Sequence, residues 1–318
     1  MAPTANPAPV RRADARRTGA TRKPRRNAMR RREALTGYLF ITPQLAGAIG
    51  LVIIPLVVVF YYSLHDWNAL SSSFTFVGAG NYTKLLADPS FADSLVASAW
   101  FSIGLVTLNI VLALALAVLL NQRLPGTTLF RTFFFSPVIV SLVAWSIVWS
   151  FLLQFDGGIN GFLSAVGIQG PNWLRTGPTA MLSVIVVQVF KNVGLNMILF
   201  LAALQSVPLE LREAARIDGA RAWRVFRSIT LPLISPTLLL VSIITVIGSL
   251  EVFAQIAVLT GGGPGNSTTV LVFFLYQKAF RYHQFGYASA VGVVLFVIVL
   301  LLTLAQFQTR RRWVHDEV

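Results

Sequence analysis

The sequence predicts an all-α membrane protein with six membrane-spanning helices and a polar two-helix loop between the fourth and the fifth. Of its 318 residues, 55% are hydrophobic and 12% are charged, and the mean hydropathy is +0.69. Soluble domains carry about twice that fraction of charged residues. Six apolar stretches are each long enough to cross a bilayer, which takes roughly 20 helical residues.

These spans follow one another within residues 35–309, which we expect to form one transmembrane domain. Pro43 and Pro55 predict an interruption of the first span, and Pro137 predicts one in the third, because proline lacks a backbone donor. A further apolar run, Val270–Phe280, is too short to span and is expected at the membrane surface. The six spans are approximately Thr36–Leu64, Ser94–Leu120, Phe130–Leu153, Met181–Leu204, Leu233–Leu259 and Tyr287–Phe307.

The distribution of basic residues predicts the orientation of the spans. With the N-terminus inside, the inner segments hold twenty-one Lys and Arg residues and the outer segments hold four. Cytoplasmic loops carry an excess of Lys and Arg, so both termini, 1–34 and 310–318, are expected in the cytoplasm of a protein of the cell membrane. The first tail is rich in Ala, Pro, Thr and Arg and has almost nothing to bury, which predicts disorder.

Residue types exclude several classes of function. The net charge of +14 would suit nucleic-acid binding, but the excess is concentrated in residues 1–34, beside a span, where orientation and anionic lipid heads explain it. No nucleic-acid partner is therefore expected. The chain has no Cys, and its three His are scattered, so no metal site is predicted. It has neither a G-x-x-x-x-G-K-[ST] phosphate loop nor a catalytic constellation, so we do not expect an enzyme.

The polar segment 208–232, which we call the elbow, predicts two short helices joined by a turn. Asp218 and Gly219 form the turn signal, because glycine adopts positive φ angles without a Cβ clash. Pro232 disfavours continuation of the second helix. One apolar stripe on that helix is formed by Ala222, Val225, Phe226 and Ile229.

The elbow also resembles the signature of the permeases of binding-protein-dependent ABC importers, which is EAA, three residues, G, nine residues and I-x-L-P. The resemblance implies that the elbow docks in a groove of an ATP-hydrolysing partner, which would hold ATP and Mg²⁺, with no cofactor in this chain. An ordinary amphipathic loop is the alternative. The residues expected to couple to the partner, seven of which match the signature without a gap, are Glu213, Ala214, Ala215, Asp218, Gly219, Ala220, Phe226, Ile229, Leu231 and Pro232.

Three further stretches narrow the resemblance to permease subunits of carbohydrate ABC importers, the group that includes maltose and glycerol-3-phosphate systems. They are the outer loop His65–Asp93, the run Asn192–Pro208 and the run Leu259–Pro264. The resemblance covers about residues 33–312 and implies the type I importer permease fold. It also implies four kinds of partner: a second homologous permease, two ATPase subunits, an extracytoplasmic solute-binding protein and a carbohydrate substrate.

Transport requires polar groups inside the bilayer, where they are costly unless they face a cavity or a partner. On the fourth span, amide side chains recur every four residues and so share one helical face. Amides and carboxylates bind hydroxyl groups, and aromatic rings offer an apolar plate, as a sugar site requires. The candidate substrate-binding residues are Ser141, Trp145, Trp149, Gln188, Lys191, Asn192, Asn196, Glu251 and Gln255.

Each of these candidates has a structural alternative. The amide ridge would join neighbouring helices or a partner permease, and the tryptophans would face lipid or pack. Lys191 and Glu251 lie at similar predicted depth and would form an ion pair.

Other functions also stay open. A secondary transporter driven by an ion gradient would show inverted repeats and broken helices but would leave the elbow signature unexplained. A membrane scaffold without substrate is a second alternative. Within the importer class, a polyol or glycerol phosphate would replace the sugar.

Overall fold

The computed structural model describes residues 25–71, 73–122 and 125–313, which are predominantly helical and divide after Leu56 into two compact units. Strands β1 (His65–Asn68) and β2 (Ser73–Phe76) pair antiparallel, with His65 opposite Phe76. Wider π-helical turns occupy Ile49–Ile53, Phe226–Thr230 and Gln277–Arg281. The α-helices are α1 (Arg25–Ala48), α2 (Ile54–Ser63), α3 (Gly80–Ala87), α4 (Pro89–Leu120), α5 (Thr127–Ile139), α6 (Leu142–Leu152), α7 (Gly158–Ala165), α8 (Gly177–Ser206), α9 (Leu209–Ile217), α10 (Ala222–Val225), α11 (Leu231–Leu233), α12 (Ser235–Leu250), α13 (Ala254–Leu259), α14 (Leu271–Tyr276) and α15 (Phe285–Trp313).

The described helices supply four continuous candidate spans and two bent ones. The bent pairs turn by 104° between α5 and α6 and by 69° between Ala222–Leu233 and α12. Counting each bent pair as one span gives up to six, in agreement with the sequence. The continuous spans are Thr36–Ser63, Pro89–Leu120, Gly177–Ser206 and Phe285–Gln308.

The prolines have different effects on the first and the third span. The bend in the third span lies just after Pro137, as predicted. The first span is not broken at Pro43 or at Pro55; instead a π-helical turn precedes Pro55 and accommodates the hydrogen bond that proline cannot donate. The predicted fifth span, Leu233–Leu259, is interrupted at residues 251–253, where α12 ends before α13 begins.

The ends of the chain differ from the expected tails. Helix α1 begins at Arg25, inside the stretch 1–34 that was expected to be disordered, because the segment from Arg25 to Leu35 is made mostly of good helix formers. At the other end, α15 continues to Trp313, beyond the expected boundary at residue 310. The remaining parts of both predicted tails, 1–24 and 314–318, lie outside the described residues.

Helix α8 lies at the centre of the second unit. In its most apolar window 67% of residues are buried, against 28% for α4 and 17% for α15. It packs against α4, α5 and α12. At Gly194 its backbone approaches α5 so closely that a Cβ would overlap the carbonyl oxygen of Phe134 and lie 2.9 Å from Cα of Phe135. A small residue is therefore required at this helix crossing.

The loop run Val270–Phe280 is partly buried in the protein, and its predicted position at the membrane surface stays a prediction. Its first half forms α14, and Leu271 and Phe274 are buried against Leu85, Phe91 and other residues of a small apolar cluster. Phe280, at the other end of the run, is exposed. The backbone N–H of Leu271 donates to Oγ of Ser98 on α4 at 2.8 Å.

Asp88 joins the π-helical turn Gln277–Arg281, helix α15 and the start of α4. Its carboxylate accepts hydrogen bonds from Nζ of Lys278 at 3.1 Å, from Oη of Tyr287 at 2.8 Å and from the backbone N–H of Ser90 at 2.9 Å. Burial by itself raises the pKa of Asp88, but these hydrogen bonds and the Lys278 charge outweigh it and hold the pKa below its usual value of 3.8. The ionised carboxylate therefore stabilises the native protein.

We expect Gly194→Ala to lower the free energy of unfolding by about 1–3 kcal/mol, because the added methyl group overlaps the α5 backbone. The matched control is Gly248→Ala in α12, where a Cβ would meet nothing within 4 Å. That variant should be neutral or stabilising by up to about 1 kcal/mol through helix propensity. Thermal unfolding monitored by tryptophan fluorescence measures both, and equal effects would contradict the close helix crossing.

We expect the ionised carboxylate of Asp88 to stabilise the protein at neutral pH and to lose this effect as the pH falls. Because the folded pKa is depressed, the contribution is complete above the unfolded value near 3.8 and is lost as the pH falls through the folded pKa. Asp88→Asn should therefore lower the melting temperature by a constant amount above about pH 5. The difference should shrink below about pH 4, and a difference that grows as the pH falls would contradict the assignment.

Candidate functional site

The break in the third span is held by Lys191. Helix α5 ends at Ile139, and the bend leaves backbone carbonyls without helical partners. The ammonium group of Lys191 donates to the carbonyl oxygen of Val138 at 3.2 Å and also to those of Pro137 and Val140. The lysine is only 7% exposed. A cation at the C-terminus of a helix satisfies both the carbonyls and the helix dipole, so Lys191 stabilises the bend.

The predicted ion pair between Lys191 and Glu251 is wrong. In the part of the chain that the structure describes, the ion pairs are Lys84 with Asp66 and Lys278 with Asp88. Glu251 is exposed at the end of α12, where the fifth span unwinds. Similar depth along two helices does not fix the direction of the side chains, and the freed carbonyls of α5 bind the lysine instead.

Three of the predicted amides join helices to one another. Nε2 of Gln255 on α13 donates to Oε1 of Gln188 on α8. Asn196 donates from Nδ2 to Oδ1 of Asn109 on α4 and to Oγ1 of Thr245 on α12, the latter at 3.2 Å. Buried polar contacts of this kind connect membrane helices. The geometry thus matches the helix-joining interpretation of these amides, and their contact with a substrate stays a prediction.

The two tryptophans form an aromatic cluster on α6 with Phe190 of α8. Ring centroids lie 5.8 Å apart between Trp145 and Trp149 and 5.5 Å apart between Trp145 and Phe190. Nε1 of Trp145 donates to the carbonyl oxygen of Val187 at 3.2 Å. Both tryptophans are half-buried, so each keeps part of its ring available to a further partner.

Three candidates keep their side chains free. Ser141, Asn192 and Glu251 make no side-chain hydrogen bond or ion pair to any described residue. Ser141 directly precedes α6, at the bend of the third span, and Glu251 lies at the break in the fifth. These side chains are a hydroxyl, an amide and a carboxylate, which are the groups that recognise the hydroxyls of a ligand.

Asn192 and Glu251 lie at the same depth. On α8, Asn192 is one turn from Gln188 and one turn from Asn196. The partners of those two residues, Gln255 and Thr245, likewise lie on either side of Glu251 along the chain. The two contacts therefore bracket both free polar groups, which places Asn192 on α8 and Glu251 at the break of the fifth span at a similar level.

The elbow has the turn that the sequence predicts. Helix α9 ends in a Schellman motif: the N–H of Ala220 donates to the carbonyl oxygen of Ala215 at 2.9 Å, and that of Gly219 donates to Arg216 at 3.0 Å. Gly219 has φ +78°, a left-handed conformation that favours glycine. A Cβ there would meet nothing within 4 Å, so the backbone angle alone requires the glycine.

The second half of the elbow is an α-helix only at its ends. Helix α10 passes into the π-helical turn Phe226–Thr230 and then into α11, which contains Pro232. The predicted apolar stripe is therefore incomplete. Val225 is buried, Phe226 and Ile229 are half-buried, and Ala222 is exposed.

One surface of the elbow is turned outward. Glu213, Ala214, Asp218 and Gly219 are exposed, and Ala215 and Ala220 are half-buried. Ile217 is 86% exposed, which is unusual for a large apolar residue unless a partner covers it. Sequence patterns did not single out Ile217, although it occupies a variable position inside the matched signature.

The described residues contain no group of three or more His, Asp or Glu side chains that could hold a metal ion. The predicted lack of a cofactor in this chain stays a prediction. Gly194, Asn109 and Thr245 were not predicted to shape the site, and only their small or polar character inside apolar runs could have indicated them.

Comparison with known proteins shows which family this chain resembles. The family model of the binding-protein-dependent transport system inner membrane component matches residues 109–314. The trehalose/maltose transport system permease protein MalF of Thermococcus litoralis is 36% identical, over 88% of this chain and 95% of its own. The multiple sugar-binding transport system permease protein MsmF of Streptococcus mutans is 36% identical, over 80% and 87%. The lactose transport system permease protein LacF of Rhizobium radiobacter is 34% identical, over 90% and 97%.

The fold is also shared with a solved structure. A chain in the crystal structure of a bacterial alginate ABC transporter, in complex with an alginate pentasaccharide-bound periplasmic protein, superposes with a TM-score of 0.78. It is 22% identical, and the match covers 93% of this chain and 100% of that chain.

We expect Lys191→Met to destabilise the protein by about 3 kcal/mol or more, because three carbonyls at the bend, that of Pro137 buried and the other two partly buried, lose a charged donor. Glu251→Gln should change the stability by less than about 0.5 kcal/mol, since Glu251 is exposed and has no partner among the described residues. Thermal unfolding of the two variants compares the effects directly. Equal destabilisation by both would restore the ion-pair hypothesis.

Proposed function

Since the chain belongs to the family of binding-protein-dependent transport system inner membrane components, we propose that it is a membrane-spanning subunit of an ATP-driven sugar importer. It is a multi-pass membrane protein. The observation that carries the proposal is the elbow, whose signature residues form a rigid turn and an outward surface inside a chain of this family.

The elbow is proposed to transmit the movement of an ATPase to the spans. Its outward surface, with Glu213 and Ala214 exposed and Ile217 almost uncovered, suits a groove in a partner subunit. Helix α9 follows α8 directly, and α11 leads directly into α12. A rotation of the docked elbow would therefore reach α8 and α12, which share the contact between Asn196 and Thr245, and would open or close the space between them.

The proposed assembly contains a second homologous permease, two ATPase subunits that bind ATP and Mg²⁺, and an extracytoplasmic binding protein. The importer family and the periplasmic protein bound to the alginate transporter support the binding protein as a partner. The excess of basic residues on one side supports cytoplasmic termini and a cytoplasmic elbow.

The proposed substrate is a sugar or an oligosaccharide. The names of the relatives, which transport maltose, lactose and multiple sugars, support this class. The free hydroxyl, amide and carboxylate of Ser141, Asn192 and Glu251, with the half-buried tryptophans of α6, provide suitable hydrogen-bonding and stacking groups. We propose that these residues contact the substrate, while Lys191, Gln188 and Gln255 support the helices around it.

A secondary transporter receives support from one observation, because broken spans are typical of that class and this chain has two bent helix pairs. That class does not explain the elbow. Uptake into proteoliposomes distinguishes the two: the proposed importer requires ATP and is inhibited by vanadate, whereas a secondary transporter follows an ion gradient.

We expect Glu213→Lys to abolish the stimulation of ATP hydrolysis by the loaded binding protein, because it reverses a charge on the outward surface of the elbow. Gly219→Pro should do the same, because proline cannot adopt the positive φ found there. The matched control is Glu210→Lys, an exposed carboxylate in the first turn of the same helix but outside the signature. The measurement is ATPase activity of the reconstituted complex.

The melting temperature of the Glu213→Lys protein should remain within a few degrees of the unmodified protein, as surface substitutions change stability by less than about 0.5 kcal/mol. Normal stimulation in that variant, or equal loss in Glu210→Lys, would refute the docking role of the signature.

A further inference from the structure

Two adjoining cavities lie where the end of α4 approaches the elbow. The first has a volume of ≈350 Å³. Its polar end is formed by Asn121, Gln122, Arg212 and Arg216. The second, of ≈660 Å³, runs along the apolar residues between Val111 and Leu119 of α4 and is also lined by Trp223. Neither cavity contains any of the residues proposed to contact a sugar.

The two cavities form one cleft, because they share Val118, Gln122, Ala222 and Phe226 as lining residues. We call it the elbow cleft. One end carries two guanidinium groups and two amides, and the other end is almost wholly apolar. The cleft is thus amphipathic along its length, which matches a ligand with a charged head and a hydrocarbon tail.

The two arginines at the polar end have no partner inside the described chain. Neither Arg212 nor Arg216 makes an ion pair or a hydrogen bond with a described residue. Both arginines line the cleft, and Arg216 is also exposed, one turn from Glu213 of the outward surface. Their positive charge is available to a ligand in the cleft.

The position of the cleft along α4 defines its depth in the bilayer. Helix α4 has 32 residues and is roughly 48 Å long, against a hydrocarbon core of about 30 Å. The apolar groove covers the last turns of the helix, and the arginines lie level with its end. This is the boundary between acyl chains and headgroups, where an amphipathic aromatic such as Trp223 is favoured.

From the charge, the apolar groove and the depth, we infer that the elbow cleft binds a phospholipid with an anionic headgroup. One acyl chain occupies the groove beside α4 and Trp223, and the headgroup phosphate lies between Arg212 and Arg216. Because the cleft touches both α4 and the elbow, a bound lipid holds the elbow against the spans. The site contains none of the residues proposed to contact the sugar.

The test uses the full-length chain with its co-purifying partners, reconstituted in nanodiscs of equimolar phosphatidylcholine and phosphatidylglycerol. After a detergent wash, native mass spectrometry counts the retained lipids. The unmodified protein should retain phosphatidylglycerol preferentially, and Arg212→Gln/Arg216→Gln should lower that preference about thirtyfold, since each basic residue near an anionic membrane surface contributes about 1 kcal/mol of attraction. The matched control is Arg221→Gln/Arg224→Gln, which removes two exposed charges of the elbow outside the cleft.

A second variant tests the apolar end of the cleft. Ala115→Trp fills the groove and should reduce the retention of both lipids, whereas Leu112→Trp, on an exposed part of α4 that does not line the groove, should not. Competition with inorganic phosphate shows whether the arginines bind a lipid headgroup or a free phosphate ion. Displacement of the lipid by millimolar phosphate would assign the arginines to a free anion and overturn the lipid proposal.

Two other results would also overturn it. Equal loss of preference in the cleft and control double variants would mean that general surface charge retains the lipid. Unchanged retention in both Arg212→Gln/Arg216→Gln and Ala115→Trp would mean that the cleft is covered by another protein chain. Melting temperatures of all variants ensure that loss of lipid does not reflect unfolding.

Discussion

The arrangement of this protein depends on satisfying the backbone carbonyls that a broken membrane helix leaves without partners. Inside a bilayer there is no water to bind them, so an interrupted span is stable only where the protein supplies a donor. Lys191 supplies it to Pro137, Val138 and Val140 at the bend between α5 and α6. Gly194, one turn further along α8, lets α5 approach closely enough for that contact. The most buried helix thereby determines the shape of the third span.

Helix α8 carries polar side chains that join it to other helices and one that has no side-chain partner among the described residues. Gln188 and Asn196 bind α13, α4 and α12, while Asn192, between them, binds no described side chain. At the same depth the fifth span unwinds and exposes Glu251. Because α8 and α12 lead directly to the two ends of the elbow, a movement of the elbow would change the space around these free groups. In the proposed importer, transport and energy coupling would thus be connected through two helices.

Much of this organisation could be predicted from the sequence. The number of spans follows from the length and hydropathy of the apolar stretches, and the bend at Pro137 follows from the missing donor of proline. The turn at Gly219 followed from its signature and was confirmed by a positive φ. The direction of side chains could not be predicted, because depth along a helix does not give rotation about its axis. For that reason Lys191 was paired with Glu251, and the carbonyls that it binds were not considered. The burial of Leu271 and Phe274 likewise depends on neighbours distant in sequence.

The central claim is that the elbow docks in a nucleotide-hydrolysing partner and moves with it. The chain contains no cysteine, so a single Ala214→Cys substitution places one reactive group on the outward surface of the elbow. In the assembled transporter, a short bifunctional reagent should link this cysteine to the ATPase subunit, and the yield should change when ATP is bound. A cysteine at Ser71, in the hairpin between β1 and β2, should give no such link. If Ala214→Cys never captures the ATPase and reacts with an impermeant reagent from outside the cell, the account is contradicted.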